Sequence, residues 1–451
     1  MTFKDRIGCL LVALVGLAAG PAWAWGNHSL AAYRAFEKMP EVALAPAVVA
    51  EPLEAFLRAE ERTIAALLDS QEAWAAANLE YYPPRPASLT FGAEAGRSDE
   101  ARRLAFLGAL RVAPNSRLAL YYQPDPQSAV ADGVVLPHSA VNTLPESTPS
   151  TYRYLALRAG ESIAALQVLA SACDEPDYGL DINLWEDSPS DWGRSYGFGP
   201  LPFGNPALPY ATQAPFHMGF FFERRALYMA APFIKRTFPT LRHHQFATLS
   251  ALAFRTGHPY WGWRFAGLSL HYLQDLTQPY HATVAPGEST WKLMATNAIA
   301  MAGMPRMKND LIVLLSNRHL ALEKYQTEVL QLDAQSRQET ALTRALRNTD
   351  KDRAYPPWSD AYLREVVAAQ SVAQGARLSQ ALLAALPAGY VSDPGFDFGV
   401  KEAGINLVRE VAQRDAADRG RLDAALLELM GNFGAHSRNA LRAILKAGSA
   451  Q

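Results

Sequence analysis

The sequence has little cysteine, little excess charge of either sign and, after its first residues, no long apolar run. Its 451 residues include two cysteines, and 42 Lys+Arg against 44 Asp+Glu give a formal net charge of −2. Two cysteines cannot build a disulfide scaffold, and balanced charge leaves no electrostatic footprint for duplex nucleic acid. With 49% hydrophobic and 19% charged residues the chain can bury a core, which excludes disorder and collagen-like repetition. Phosphate chemistry stays open if metal ions supply positive charge.

The first 24 residues have the pattern of a secretory signal peptide. Lys4 and Arg6 precede the apolar stretch 7–20, and a small-x-small cleavage motif ends at Ala24. The apolar stretch is shorter than the ~20 residues that a membrane-spanning helix needs. We therefore predict cleavage between Ala24 and Trp25, no transmembrane segment, and a protein that is secreted or periplasmic.

Helix-forming patterns dominate the remaining chain, so we predict a mainly α fold. Segments rich in Ala and Leu, with apolar residues three and four apart, are typical of amphipathic helices. The predicted helices cover residues 29–38, 53–79, 152–173, 243–256, 263–276, 307–332 and 359–386. The tail 401–446 predicts two more helices, broken at the glycines of 431–434.

Two stretches interrupt the helical pattern. Nine prolines fall between residues 83 and 149, which predicts an irregular or partly β insertion with strand candidates at 117–122 and 132–136. The second stretch, 178–216, is rich in aromatic residues among Gly and Pro. A long stretch without regular structure inside a compact domain is usually functional or a linker.

We find no internal repeat and no linker that would divide the chain. The prediction is a single domain over residues 25–451, with 30–170 as an elaboration and 330–451 as a helical C-terminal part.

The chemistry-bearing residues are histidines spaced four residues from an acid. His271 and Asp275 lie one helical turn apart in an apolar segment, so both can reach a single metal ion. His319 and Glu323 have the same spacing. A proline should end the first helix, leaving His281 free to turn back toward the site. The alternative is a core helix whose histidines are merely hydrogen-bonded, although a buried Asp is rare unless it is paired or metal-bound.

The segment SLHYLQDLTQPYHA resembles the central signature of the zinc-dependent phospholipase C/P1-type nuclease superfamily. Members are exported, mostly helical enzymes with three zinc ions, one of them chelated by the amine and carbonyl of an N-terminal Trp. Cleavage after Ala24 would place Trp25 of WGNHSL at that position. An α-amino group has an unperturbed pKa of about 7.7–8, so a metal displaces its proton more easily than that of a lysine.

The resemblance implies the ligands residue by residue. The implied sets are Asp177, His217, His271 and Asp275 for one zinc, Trp25, His28 and Asp275 for a second, and His281, His319 and Glu323 for the third. Asp174 is the alternative to Asp177, which we prefer because its pairing with Tyr178 matches the phospholipase pattern. Asp275 would bridge two zincs, Asp177 would also orient the attacking water, and Tyr178 would contact substrate.

The implied activity is hydrolysis of a phosphodiester by a zinc-activated water. The His-x-x-x-Glu spacing at His319, the wording HYLQDLTQPYHA and the lack of disulfides favour the bacterial phospholipase C branch. That branch cleaves the glycerol-side bond of phospholipids such as phosphatidylcholine, at a membrane surface, to diacylglycerol and a phosphorylated headgroup. The alternatives are a P1-type single-strand nuclease or 3′-nucleotidase on the same tri-zinc site, and a metal-binding helical protein without turnover.

The aromatic stretch 178–216 does not decide among these substrates. Its rings could seat a quaternary ammonium headgroup, dip into a lipid interface or stack on bases. They could equally be a packed insertion.

Overall fold

A computed structural model describes residues 25–128, 133–145, 153–205, 208–336 and 338–450. The predicted signal peptide, residues 1–24, lies outside the described residues. Helix accounts for 63% of the structure and strand for 3%, which confirms the mainly α prediction. Within the described ranges, no helix combines the length and the apolar character needed to cross a bilayer.

The α-helices of the described residues follow one another along the whole chain. They are α1 (His28–Phe36), α2 (Pro40–Ala43), α3 (Leu53–Ala59), α4 (Glu61–Asn78), α5 (Asp99–Leu110), α6 (Ala165–Ala172), α7 (Asp191–Tyr196), α8 (Ala214–His217), α9 (Arg225–Ala230), α10 (Pro239–Arg255), α11 (Pro259–Leu276), α12 (Pro279–Ala282), α13 (Thr290–Met301), α14 (Arg306–Gln335), α15 (Ala341–Arg347), α16 (Ala369–Ala385), α17 (Ala388–Val391), α18 (Phe398–Lys401), α19 (Leu407–Ala412) and α20 (Ala416–Ser449). A π-helical turn, Leu363–Ala368, precedes α16, and 3₁₀ turns cover Ala87–Leu89, His138–Ala140, Glu175–Tyr178, Pro209–Gln213, Pro232–Lys235 and Thr349–Ala354.

Helix α11 is the centre of the fold. Pro259 occupies its first turn, where the ring presets the helical φ and no N–H is needed. Every residue of 260–276 is buried, and α6, α10 and α20 pack around the helix. A helix that is apolar on all sides is stable only inside a core, so the few polar side chains of α11 are held in a rigid apolar frame.

Helix α20 runs unbroken through residues 431–434, so the predicted break was wrong. A Cβ on Gly434 would collide with the carbonyl oxygen of Leu346, the penultimate residue of α15. A glycine inside a helix costs about 1 kcal/mol relative to alanine, and the close packing of α15 on α20 offsets this cost. The glycines therefore serve helix–helix contact.

The predicted helix 152–173 is also wrong in its first half. The structure has strands β4 (Tyr154–Ala156) and β5 (Ser162–Ile163) there, and only α6 is helical. Gly160 adopts a left-handed φ of 86°, which interrupts a helix and turns the chain between β4 and β5.

Two small antiparallel sheets make up the β structure of the described residues. Strand β1 (Val48–Val49) pairs with β5, and β4 lies between β2 (Tyr121–Tyr122) and β3 (Val135–Leu136). The strand candidates at 117–122 and 132–136 are thus confirmed in part. The same proline-rich insertion also holds α5, which the sequence analysis missed although Ser98 caps it by accepting the N–H of Ala101 at 3.2 Å.

Candidate metal centre

The end of α11 forms as the proline predicts. Helix α11 stops at Leu276, Gln278 is extended with a φ of −92° and a ψ of 125°, and α12 begins at Pro279. This bend turns His281 back, and its Nδ1–H donates to the carbonyl of His217 at 2.8 Å.

Three groups of side chains, all buried except the partly exposed His319, lie close enough to hold metal ions. The groups are His28–His271–Asp275, Asp177–His217–His271 and His281–His319–Glu323, and the ligand atoms of each lie within 4.8 Å of one another. We call the five residues of the first two groups, which share His271, the inner cluster, and the last three the outer triad. Every side chain that the sequence predicted as a ligand belongs to one of them.

Asp275 connects the two halves of the inner cluster. Its Oδ1 lies 3.3 Å from His28 Nε2, and its Oδ2 lies 2.8 Å from His217 Nδ1 and 3.3 Å from His271 Nε2. The two oxygens of this carboxylate thus point at different histidines, which is the geometry that a bridging ligand requires.

The structure separates the roles of Asp174 and Asp177. Asp177 Oδ1 lies 3.5 Å from His271 Nε2 and 3.8 Å from His217 Nδ1. Asp174 Oδ1 instead accepts the backbone N–H groups of His28 and Ser29, at 2.6 and 3.1 Å. This placement favours Asp177 as the ligand and makes Asp174 the anchor that holds the start of α1 against the site.

Trp25 lies beside the inner cluster. Its backbone nitrogen is 3.4 Å from His28 Nε2, and its buried indole N–H donates to the carbonyl of Gln274 at 2.9 Å. Gly26 follows where a Cβ would collide with the Thr327 hydroxyl. The indole therefore fixes the Trp25 backbone nitrogen next to His28.

Tyr178 does not lie where the sequence prediction put it. The ring packs in a separate aromatic cluster with Tyr121 and Tyr154, and its hydroxyl contacts Gln123. At 3% exposure it is not among the residues that line the cavity next to the metal groups. The structure therefore does not support a direct substrate contact by Tyr178.

Hydrogen bonds from the far side of each imidazole select the nitrogen that faces the metal groups. The Nδ1–H of His28 donates to Gln274 Oε1 at 2.8 Å, and that of His271 donates to the carbonyl of Cys173 at 2.7 Å. Both Nε2 atoms are therefore free of a proton in the neutral tautomer and can bind a metal, an arrangement common around metal-ligating histidines. Cys173 itself is a buried free thiol, as expected of a small apolar core residue.

His217 is oriented by Asp181, which the sequence analysis missed. Asp181 Oδ2 lies 3.4 Å from His217 Nε2, so His217 presents its Nδ1 to the cluster. Arg242 Nε donates to Asp181 Oδ1 at 2.8 Å, and the Tyr272 hydroxyl donates to Oδ2 at 2.6 Å. The sequence did offer one indication that Asp181 belongs to the site, because it lies four residues after the predicted ligand Asp177.

Two glutamines of the signature segment were missed as well. Besides the contact of Gln274 with His28, Gln278 Nε2 donates to Glu323 Oε1 at 2.9 Å. Polar residues that flank Asp275 on an otherwise buried segment were the available signal.

The donor set fits a cation. Buried oxygens of Asp177 (Oδ2), Asp275 (Oδ1) and Glu323 (Oε2) have no hydrogen-bond partner among the described residues. Among the other buried carboxylates, Asp181 pairs with Arg242 and Glu175 with Arg264, whereas Asp174 accepts backbone N–H groups and Asp333 a threonine hydroxyl. A buried carboxylate is costly unless a positive charge compensates it, and mixed His and carboxylate donors suit zinc and similar first-row ions.

The pKa values in the inner cluster also reflect the negative charge of its buried carboxylates. Burial by itself lowers the pKa of His28, but the carboxylates around it, first Asp275, raise it to about 9. Against the same burial, Asp181 and Asp275 raise the pKa of His217 to about 10. Burial raises the pKa of Asp177, whereas the histidines around Asp275 outweigh burial and hold its pKa well below the usual value. The carboxylates that attract these protons would equally attract a metal cation.

In the outer triad, burial dominates. It lowers the pKa of His281, lowers that of His319 to about 3 and raises that of Glu323 to about 8. Both imidazoles are thus neutral near pH 7, which is the form that binds metal, and their Nε2 atoms face each other at 2.9 Å.

A cavity of about 390 Å³ adjoins the inner cluster and the outer triad. Asp177, His217, His281 and His319 form part of its wall. Most of the remaining wall is apolar and includes Phe203, Phe220, Leu227, Ile234, Leu311 and Leu315. Ligand pockets typically combine such an apolar lining with a few polar groups that fix the orientation of the ligand.

Most of the aromatic stretch 178–216 is core. Trp185, Phe198 and Tyr196 are buried, and the first two rings pack against Phe216 and Phe238. Of the aromatics in this stretch, Phe203 and Tyr210 line the cavity. The packed insertion is therefore the better description of the rest.

Comparison of the chain with protein-family models, with curated proteins and with solved structures gave no match in any of the three.

Proposed function

We propose that this protein is a zinc-dependent phosphodiester hydrolase that cleaves phospholipids as a phospholipase C, with three zinc ions held by Trp25, the inner cluster and the outer triad. The observation that carries the proposal is that the inner cluster, through Asp177 and His217, and the outer triad, through His281 and His319, line one largely apolar cavity. The resemblance of the signature segment supports it separately.

The residues divide the work by position. Bound zinc supplies Lewis acidity, which lowers the pKa of water toward about 7 and polarises a phosphate oxygen. Asp177, which lines the cavity and has a buried oxygen without a hydrogen-bond partner, orients the attacking water and accepts its proton. Asp275 and the histidines keep the donor atoms in place, and Asp181 holds the orientation of His217.

In the proposed reaction the oxygen of water forms a bond to phosphorus, and the bond from phosphorus to the glycerol oxygen breaks. The leaving glycerol oxygen takes up a proton, which gives diacylglycerol and a phosphorylated headgroup. Asp177, His217, His281 and His319 supply polar groups for the phosphate, and the acyl chains would occupy the apolar remainder of the cavity.

The cavity favours phospholipid over nucleic acid. Among its described lining residues Lys308 is the only lysine or arginine, whereas a groove for single-stranded nucleic acid follows the backbone with several positive charges. Aliphatic and aromatic side chains form most of the wall, which suits acyl chains. The nuclease and 3′-nucleotidase alternative shares the metal site and is tested in parallel.

We further propose that export removes residues 1–24 and frees the amine of Trp25. The position of the Trp25 nitrogen, 3.4 Å from His28 Nε2, supports this proposal, since a free amine there would lie within reach of the same metal as His28.

The deciding experiment is zinc analysis combined with parallel assays on phosphatidylcholine, single-stranded DNA and a 3′-mononucleotide, each with and without chelator. We expect about three zincs per chain and chelator-sensitive turnover of phosphatidylcholine. A His258→Gln variant is the control, because His258 pairs with Glu51 away from the metal groups. Nucleic-acid cleavage without phospholipid turnover would replace the proposal by the nuclease alternative. Fewer than two zincs per chain, without turnover of any substrate, would contradict both the phospholipase and the nuclease hypotheses.

A further inference from the structure

An uncovered apolar surface surrounds the segment from α13 to the start of α14. Its members are large apolar side chains between 42% and 82% exposed: Phe222, Met229, Trp291, Met301, Met304 and Met307. We call these six residues the apolar rim. Thr296 is the only residue of α13 that is buried, although most of the helix is apolar. An apolar helix is normally covered, and exposed patches of this kind mark interaction sites.

The apolar rim is continuous with the cavity of the metal centre. Leu293, Thr296 and Asn297 on α13 line the cavity, while Trp291 and Met301 of the same helix point outward. Helix α9, which carries Met229 outward and Leu227 into the cavity, packs against α13. The same helices therefore form the wall of the cavity and the exposed surface around it.

The charge of this segment complements lipid phosphate. Residues 290–309 contain no Asp or Glu and three cationic side chains, Lys292, Arg306 and Lys308. Lys292 pairs with Glu288 at 2.7 Å and Arg306 with Asp310 at 3.9 Å, both acids immediately flanking the segment, and pairs between solvent-exposed cations and acids at the surface are weak. Cations beside exposed Trp and Met are typical of surfaces that lie in a phospholipid interface.

We propose that the apolar rim docks the protein on a phospholipid bilayer with the cavity facing the lipid. This inference rests on the proposed function for the choice of a lipid partner, but the docking itself needs no turnover. Helix α13 has twelve residues, too few to span a bilayer, so Trp291 and the methionines enter only the interface. The proposed lipid-contacting surface is thus a different segment from the stretch 178–216, for which the sequence left a lipid interface as one of several interpretations.

Docking is tested with vesicles of a phosphonate analogue of phosphatidylcholine that carries brominated acyl chains and cannot be hydrolysed at the scissile bond. Bromine quenches tryptophan on contact, and Trp291 is the one Trp with large exposure in the described part of the chain. We expect quenching in the zinc-loaded protein, and its loss in Trp291→Phe with vesicle binding retained.

The decisive variant is Met301→Ser/Met304→Ser/Met307→Ser, which removes apolar surface without touching the cavity wall. We expect vesicle partitioning at least about tenfold weaker, with zinc content and thermal unfolding unchanged. Leu44→Ser is the matched control, because Leu44 is as exposed as Met301, at 82%, and lies outside the apolar rim.

Two outcomes would overturn the docking proposal: vesicle binding unchanged in the triple variant, or a dimer that the variant converts to monomer while vesicle binding persists. The latter would make the apolar rim an interface between copies. A different result would contradict the proposed function alone: vesicle binding that depends on the apolar rim, without any cleavage of ordinary phosphatidylcholine.

Discussion

Buried histidines occur in two regions of this molecule, and their neighbours distinguish them. His271 on α11 and His436 on α20 are both fully buried in long helices, and burial lowers the pKa to about 4 and about 3. His436 bonds to neutral groups, Gln370 Oε1 at 2.8 Å and the Tyr362 hydroxyl at 3.0 Å. His271 faces the carboxylates of Asp177 and Asp275.

Burial alone therefore does not make a histidine a candidate metal ligand. Burial keeps both imidazoles neutral, but only the region with carboxylates that no arginine balances can hold a cation.

The largest effect is expected from Asp275→Asn, which keeps the shape of the side chain and removes its charge. The inner cluster should lose zinc, and kcat/KM on phosphatidylcholine should fall at least about a thousandfold, since metals supply several kcal/mol of charge stabilisation. Metal analysis and kinetics measure both effects. Asp352→Asn is the control, because Asp352 pairs with Arg438 and should cost stability without loss of zinc. A zinc-replete and active Asp275→Asn protein would contradict the bridging role.

The second prediction concerns Trp25. One extra residue ahead of the mature Trp25 converts the amine into an amide, which is a poor ligand, so one zinc should be lost. We expect activity to fall about a hundredfold, equivalent to about 2.7 kcal/mol of activation barrier. Unchanged zinc content and activity would show that the N-terminus is not a ligand.

Asp181→Asn should have an intermediate effect. It removes the charge that orients His217, and loss of such a partner typically weakens metal binding tenfold to a hundredfold. Zinc competition with a fluorescent chelator measures this loss. Glu175→Gln is the matched control, because it also leaves a buried arginine, Arg264, without its partner but touches no ligand. Equal zinc affinity in the two variants would reduce Asp181 to a structural role.

The smallest effect is a pH dependence of stability in the helical body. His436 is neutral when folded and takes up a proton when unfolded, so its contribution to stability is complete above pH 6.5 and is lost as the pH falls toward 3. Between pH 7 and pH 5 the wild type should lose about 2 kcal/mol more than His436→Gln. Denaturant unfolding at the two pH values gives the difference, and parallel curves for the two proteins would contradict it.

The local features of the site were predictable because they depend on neighbours in sequence. Spacing of four residues places His271 with Asp275 and His319 with Glu323 on one helix face, and the proline after Gln278 ends α11. The choice of Asp177 over Asp174 was open to sequence only by resemblance, since either carboxylate is close enough along the chain.

The remaining features depend on contacts between distant segments. Asp181 orients His217 only because Arg242 of α10 lies next to it, and Gly434 extends a helix instead of ending it because α15 packs there. No pattern within one segment contains either fact. The same holds for Tyr178, which an aromatic cluster removes from the cavity.

The mainly helical chain and the types and spacing of the candidate metal-binding side chains could be read from local sequence, because helix periodicity and proline act over a few residues. Packing between distant segments sets which aromatics are core and which apolar residues stay exposed. It also brings Trp25, at the start of the described residues, against α11. The physical reason is that a carboxylate without a counter-charge, like an apolar helix without a cover, is a property of the packed surroundings and not of the residue.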